Sequence, residues 1–225
     1  MGVIVHHLDQ SRSQRVLWLL EELGTPYEIV MHKREPSMAA PKSLRDVHPL
    51  GKAPVIEDDG KVISESGAIV EYLIKKYGNG KFVPADPERQ LDDSFWNHFA
   101  EGSLMPTLVM KLVFSIIPGQ APFLVRPLVR SICAGVTSAF VDPDAKNKLK
   151  FTGDYLRKHN GGFFAGGDVD GNPTAADFQM LFPLEAAAAG RVPNLPSEIK
   201  IWVDKVHERP GYQRALAKGG PYNYA

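Results

Sequence analysis

Three short stretches concentrate the groups able to do chemistry. "LDQSRSQR" (8–15) sets two hydroxyls, Ser11 and Ser13, just ahead of an apolar-periodic run. A hydroxyl at the mouth of a helix can accept from a backbone amide and still donate to a second partner. Ser11-Arg12-Ser13-Gln14 also satisfies the S-x-x-Q capping box. "SESGAIVEYL" (64–73) opens another such run with Glu65 and Ser66. Unpaired amides and partial positive charge at a helix start suit a carboxylate, and Glu65 can accept from an ammonium group. In "HPLGKAPVI" (48–56), Val55 and Ile56 read as the start of a buried strand, yet Pro54 has no amide hydrogen to give to a sheet.

The elements that must position these groups follow from periodicity. "VIVH" (3–6) reads as a strand, and Val16, Leu19, Leu20 and Leu23 share one face of a helix closed by Gly24. "YEIVM" (27–31) is a second strand, followed by a polar, irregular stretch with Pro36 and Pro41 and room for one helical turn. Asp59-Gly60 joins two more strands as a hairpin, and Ile69, Leu73 and Tyr77 define a helix ended by Gly78. The Gly/Pro-rich stretch 78–87 carries the domain boundary, with a linker at 81–87 between domains 1–80 and 88–225. Beyond it the pattern is helical over 88–116, 122–141, 143–159, 174–189 and 196–208, so the second domain reads as all-α.

Composition excludes several classes. Lys+Arg and Asp+Glu are both 26, leaving no basic excess for a nucleic acid partner. The start "MGVIVHHLDQ" lacks a signal-peptide pattern. The single cysteine, Cys133, rules out an intrachain disulfide and fits a reducing, cytoplasmic compartment. The longest charge-free run, 112–125, is interrupted by Pro118, Gly119 and Pro122, whereas a spanning helix takes roughly 20 apolar residues; no transmembrane segment is expected. Two metal-like patterns fail. "DVDGNPTAADFQ" puts Pro173 where an EF-hand loop needs glycine, and Thr174 with Asp177 fits a helix cap instead. Adjacent His6 and His7 would point to opposite faces of a strand. No metal site is expected.

The β-α-β, then β-β-α order, with proline opening the third strand and helices following, resembles the soluble glutathione transferases: a thioredoxin-like α/β domain followed by an all-α domain. "SRSQRVLWLLEELGTPYEIV", "HPLGKAPVIEDDGKVISESGAIVEYL" and "GNPTAADFQM" carry the likeness, which is nearest to serine-type and fungal members. It implies a cis Ala53–Pro54 bond whose bend offers the N–H and C=O of Ala53 to the cysteinyl part of glutathione. It implies Glu65 and Ser66 at the γ-glutamyl end, and Lys52, with His48 as the weaker candidate, at the glycyl carboxylate. Family members often carry Arg after this serine; Gly67 stands here.

The same resemblance assigns the thiolate donor to the loop after the first strand: Ser11, with Ser13 the alternate. A free thiol has a pKa of about 8.5, and lowering it by two units takes about 2.7 kcal/mol of preferential thiolate stabilisation. A hydroxyl donor and a helix N-terminus can supply this without a general base. Glutathione enters as co-substrate, with no permanently bound cofactor. The implied reaction conjugates it to a hydrophobic electrophile, with peroxidase activity as a possible companion. Phe99, Ser103, Met105, Leu108 and Leu112 form the expected electrophile wall, with Arg12 and Gln14 as further lining. A homodimer is implied. The alternative is a noncatalytic hydrophobic-ligand-binding protein on the same fold.

Overall fold

The computed structural model describes residues 2–224. Strand β1 (Val3–Leu8) runs into helix α1 (Gln14–Leu23) and back into β2 (Tyr27–His32), which pairs with β1 in parallel. After the short helix α2 (Lys42–Val47), β3 (Val55–Asp58) pairs antiparallel to β1, and β4 (Lys61–Ser64) completes a sheet of order β2-β1-β3-β4. The Asp59-Gly60 turn works because both residues take left-handed φ values, 47° and 75°, the pairing that matches hairpin twist. Helix α3 (Ser66–Tyr77) closes this half.

The second half is helical: α4 (Pro87–Phe99), α5 (Met105–Gln120), α6 (Arg126–Val136), α7 (Asp142–Lys158), α8 (Ala175–Ala186), α9 (Ser197–His207) and α10 (Pro210–Gly219). The fold class is therefore the expected one. Helix α10 is an addition, because the sequence pattern ends its last helix at 208. A π-turn at Ala100–Leu104 fuses α4 to α5 into one run, Pro87–Gln120, long and apolar enough by length and composition to cross a membrane. Trp96, Ala100, Leu104 and Leu108 of this run instead enter the protein core. That core is continuous between the halves: Val5, Leu17 and Leu73 belong to the same buried cluster as Trp96, Phe178 and Trp202. Thr174 and Asp177 form the expected capping box on α8, with Asp177 also accepting from the Phe164 amide at 2.8 Å.

One buried carboxylate locks the β3–β4 hairpin to α3. Asp58 accepts from Lys76 Nζ at 2.6 Å, Tyr77 OH at 2.8 Å and Tyr72 OH at 3.0 Å. Burial alone would raise its pKa, but these three donors outweigh it and hold the carboxyl below its usual range. Its contribution to stability is thus present above the ordinary carboxylate pKa and is lost as pH falls through the lowered one. Asp58→Asn is expected to cost about 2 kcal/mol at pH 7. Urea melts of the two proteins should converge in strong acid; a gap that stays constant with pH would assign the loss to packing.

Candidate functional site

The loop between β1 and α1 turns at Gln10 (φ 51°) and delivers both serines to the interior. Ser11 Oγ and Ser13 Oγ lie 2.7 Å apart, and Ser11 Oγ accepts from the Ser13 amide at 3.2 Å. Ser13 Oγ reaches His7 Nδ1 at 2.9 Å and the Leu8 carbonyl at 3.3 Å. Ser13 is wholly buried and Ser11 is 5% exposed, so Ser11 is the outer member of the pair. The expected capping box is not made. The first turn closes with 3₁₀-like bonds from Gln14 to Ser11 and Arg15 to Arg12, and the Gln14 side-chain amide is buried without a hydrogen-bond partner. Gln14 is drawn under α10, where its Oε1 packs against Gly219, instead of folding back onto its own helix start. It does not line an open site.

The Ala53–Pro54 bond is cis. Among the described residues, neither the N–H nor the C=O of Ala53 has a hydrogen-bond partner, which leaves them free just ahead of β3. Lys52 is exposed beside them. His48 is already engaged: its Nε2 lies 3.1 Å from Ser64 Oγ and its Nδ1 faces the Leu50 amide, tying the loop to β4. Glu65 is exposed at φ 71°, a left-handed conformation seldom taken by a side-chain-bearing residue and worth notice near a site. The first helical bond of α3 runs from Ile69 to Glu65, so the amides of Ser66, Gly67 and Ala68 remain available to an anion.

Ser66 is buried and joins a polar cluster between the two halves that sequence reasoning missed. Arg15 Nη1 donates to Ser66 Oγ at 3.1 Å, to Glu101 Oε1 at 2.6 Å and to Gln179 Oε1. Ser66 Oγ in turn donates to Gln179 Oε1 at 3.2 Å, and Arg12 pairs with the other oxygen of Glu101. Arg15 Nε and Nη2 and Gln179 Nε2 are buried with no protein partner. Arg15 therefore brings a guanidinium to the helix start where Gly67 supplies none. One signal was present in the sequence: Arg15 sits four residues before Leu19, on the buried face of its helix.

The structure does not gather the five expected electrophile-wall residues around one opening. Leu112 borders a cleft of about 350 Å³ with Lys111, Ser115, Ala186, Arg191 and Tyr224. Met105 and Leu108 are core residues, Phe99 stacks among Phe95, Trp96 and Phe151, and Ser103 lies in the π-turn without bordering the cleft. The π-turn inserts one residue, which rotates the remainder of the run by about 100° relative to a regular helix. Arg12 of the serine loop reaches toward the cleft without bordering it. Its guanidinium lies 5.7 Å from the Phe182 ring, which meets Tyr224 edge-on at 5.6 Å.

Comparison with known proteins agrees with this architecture. The sequence model of the glutathione S-transferase N-terminal domain matches residues 11–76. Glutathione S-transferase 3 of Schizosaccharomyces pombe is 36% identical over 96% of this chain and 87% of its own length. Glutathione S-transferase 1 of Saccharomyces cerevisiae is 30% identical over 95% and 94%. A glutathione S-transferase structure from Actinobacillus pleuropneumoniae superposes with a TM-score of 0.75 at 25% identity, covering 96% of this chain and 92% of its own. A glutathione transferase from Phanerochaete chrysosporium, in complex with oxidised glutathione, shares the fold at 21% identity and TM-score 0.73, with coverage of 97% and 96%. With this identity extending across nearly the whole chain, the protein belongs to the glutathione S-transferase family.

Proposed function

We propose that this transferase binds glutathione along its α/β half and conjugates the thiolate to an apolar electrophile held at the Leu112 cleft. The carrying observation is the 3.1 Å contact from Arg15 to Ser66, which joins the helix behind the Ser11 loop to the helix start that receives a carboxylate. The γ-glutamyl carboxylate takes the amides of residues 66–68, and exposed Glu65 takes its ammonium. The cysteinyl backbone pairs with Ala53, and Lys52 meets the glycyl carboxylate. His48 acts by holding that loop to β4. Ser11 donates to the sulfur. A reducing, cytoplasmic setting accompanies this reading, supported by the free thiol of Cys133.

The test is glutathione-dependent turnover against a panel containing an activated aryl halide, an enal, an isothiocyanate and an organic hydroperoxide. Conjugate formation supports the transferase, and glutathione oxidation with the hydroperoxide adds the peroxidase activity. Glutathione binding with no turnover across the panel favours the noncatalytic ligand binder. A homodimer is also proposed. Met110, Val113, Ile116 and Ile117 on α5, with Leu128 and Ile132 on α6, are exposed apolar side chains that a second copy would cover. Light scattering at micromolar concentration should give twice the chain mass, and a monomer mass would refute the dimer.

A further inference from the structure

The cleft beside Leu112 carries more chemistry on its wall than apolar contact needs. Beyond α8, Gly190 turns the chain at φ 91° and Arg191 follows it to the cleft. Tyr224 stands on the same wall, its ring met edge-on by Phe182 at 5.6 Å and by Tyr222 at 5.3 Å. Tyr222 is tied down in turn, because its hydroxyl donates to buried Glu185 at 2.6 Å. Gln10 fixes the backbone on both sides of Tyr222. Its Nε2 donates to the Pro221 carbonyl at 3.0 Å, and its Oε1 accepts from the Asn223 amide at 2.9 Å. Gln10 immediately precedes Ser11. The residue next to Tyr224 is therefore anchored to the loop assigned to the sulfur.

The hydrogen bonds of this wall have a direction. Arg191 Nη2 lies 2.8 Å from Tyr224 OH, and a guanidinium has donors only. The phenol oxygen therefore accepts that bond, and its own proton is left for another acceptor. Among the described residues it finds none. Two other polar groups of the cleft are already engaged: Lys111 pairs with Asp142, and Ser115 Oγ donates to the Leu112 carbonyl at 2.7 Å. No carboxylate borders the cleft among the described residues. The cleft thus offers apolar surface with an O–H whose oxygen is already held. That combination suits an apolar ligand bearing an acceptor oxygen.

Resting on the glutathione reading above, we propose that the electrophile is an apolar α,β-unsaturated carbonyl compound and that Tyr224 is a catalytic residue donating to its oxygen. A lone pair of the thiolate forms the S–C bond at the β-carbon. The C=C π pair moves between the α-carbon and the carbonyl carbon, and the C=O π pair goes to oxygen, giving an enolate. Negative charge arises on the atom that receives the Tyr224 hydrogen bond, so the bond strengthens as the transition state is approached. The phenol keeps its proton throughout. A proton from water then joins the α-carbon, the carbonyl re-forms and the neutral adduct leaves. Arg191 is a positioning residue: it occupies the phenol oxygen and leaves the O–H for the substrate. Halide displacement at a benzylic carbon puts no charge on oxygen and gains nothing from this donor.

Turnover of the full-length protein with glutathione separates the two chemistries, with cinnamaldehyde as the enal and benzyl chloride as the halide. Tyr224→Phe keeps the ring and its packing. It should lower the ratio of enal to halide kcat by about tenfold, the low end for an oxyanion donor because the cleft is open to water. The KM for glutathione should move little. Arg191→Leu should lower the same ratio, and Arg191→Lys, whose ammonium also only donates, should recover much of it. A wall that merely shapes the cleft would change both rates together and leave the ratio in place. An unchanged ratio in folded Tyr224→Phe therefore overturns the donor role while the glutathione site stands. Wild type that conjugates benzyl chloride but not cinnamaldehyde overturns the substrate class. Wild type that binds glutathione and conjugates neither compound overturns the catalytic reading and this proposal with it. Failure to bind glutathione at all overturns the reading of the whole site.

Discussion

Ser11→Ala is expected to lower turnover by about a hundredfold while changing glutathione affinity little. The size follows from what one well-placed donor contributes to an oxyanion-like charge in a water-poor site, about 10²–10³ in rate. The thiolate is such a charge, and Ser11 is the outer hydroxyl of the buried pair. In the proposed reading affinity rests elsewhere, on the α3 amides, Ala53 and Lys52, none of which the substitution touches. A stability loss of about 1 kcal/mol is also expected, because Ser11 Oγ satisfies the Ser13 amide in the turn that opens α1. Thiolate absorbance titrated against pH separates the two effects. A raised thiol pKa at unchanged glutathione affinity supports the assignment. An unchanged thiol pKa in a folded variant transfers the donor role to Ser13 or to backbone amides.

What the sequence disclosed, and what it did not, divides by how far apart the interacting residues lie. Thr174 and Asp177 were legible as a cap because both partners sit within one helical turn. The Asp59-Gly60 hairpin was legible for the same reason, since the left-handed turn and the two strands it joins are contiguous. Ser11 and Gln14 satisfy an equally good local pattern, yet the box is absent. Gln14 is instead packed beneath Gly219 from the far end of the chain with no hydrogen-bond partner, and Ser13 meets His7. Arg15 was passed over because its acceptors, Glu101 and Gln179, come from helices in the other half of the molecule. Met105 and Leu108 are buried for a different reason: regular periodicity cannot register a π-turn, and one added residue turns that part of the run toward the core. Helix α10 lies beyond the last helical run read from the sequence, which ends at 208; it opens on Pro210, and proline is at home in the first turn of a helix.

Arg15 should be the position where stability and glutathione binding fail together. Its side chain is wholly buried and joins α1, the start of α3, the π-turn and α8 through Ser66, Glu101 and Gln179. Removing one member of a buried charged cluster typically costs about 3–5 kcal/mol, because the partner charge is left without compensation. Glu101 is partly exposed and also held by Arg12, so Arg15→Leu is placed at the lower end, about 3 kcal/mol. Binding should suffer separately. In the proposed reading the guanidinium is the cation at the helix start that takes the γ-glutamyl carboxylate, and the KM for glutathione is expected to rise at least tenfold. Arg15→Lys tests the division between the two effects. Its single ammonium keeps the charge near Ser66 but cannot reproduce the planar fork that reaches across the cluster. It should therefore recover glutathione binding more fully than stability. Chemical denaturation and glutathione titration on the same preparations read both quantities. If Arg15→Lys restores stability but leaves KM raised, the carboxylate is read by the backbone amides and by a geometry that only arginine maintains. If Arg15→Leu folds with wild-type stability and wild-type KM, the cluster is a bystander and the link between the two halves lies in their shared apolar core.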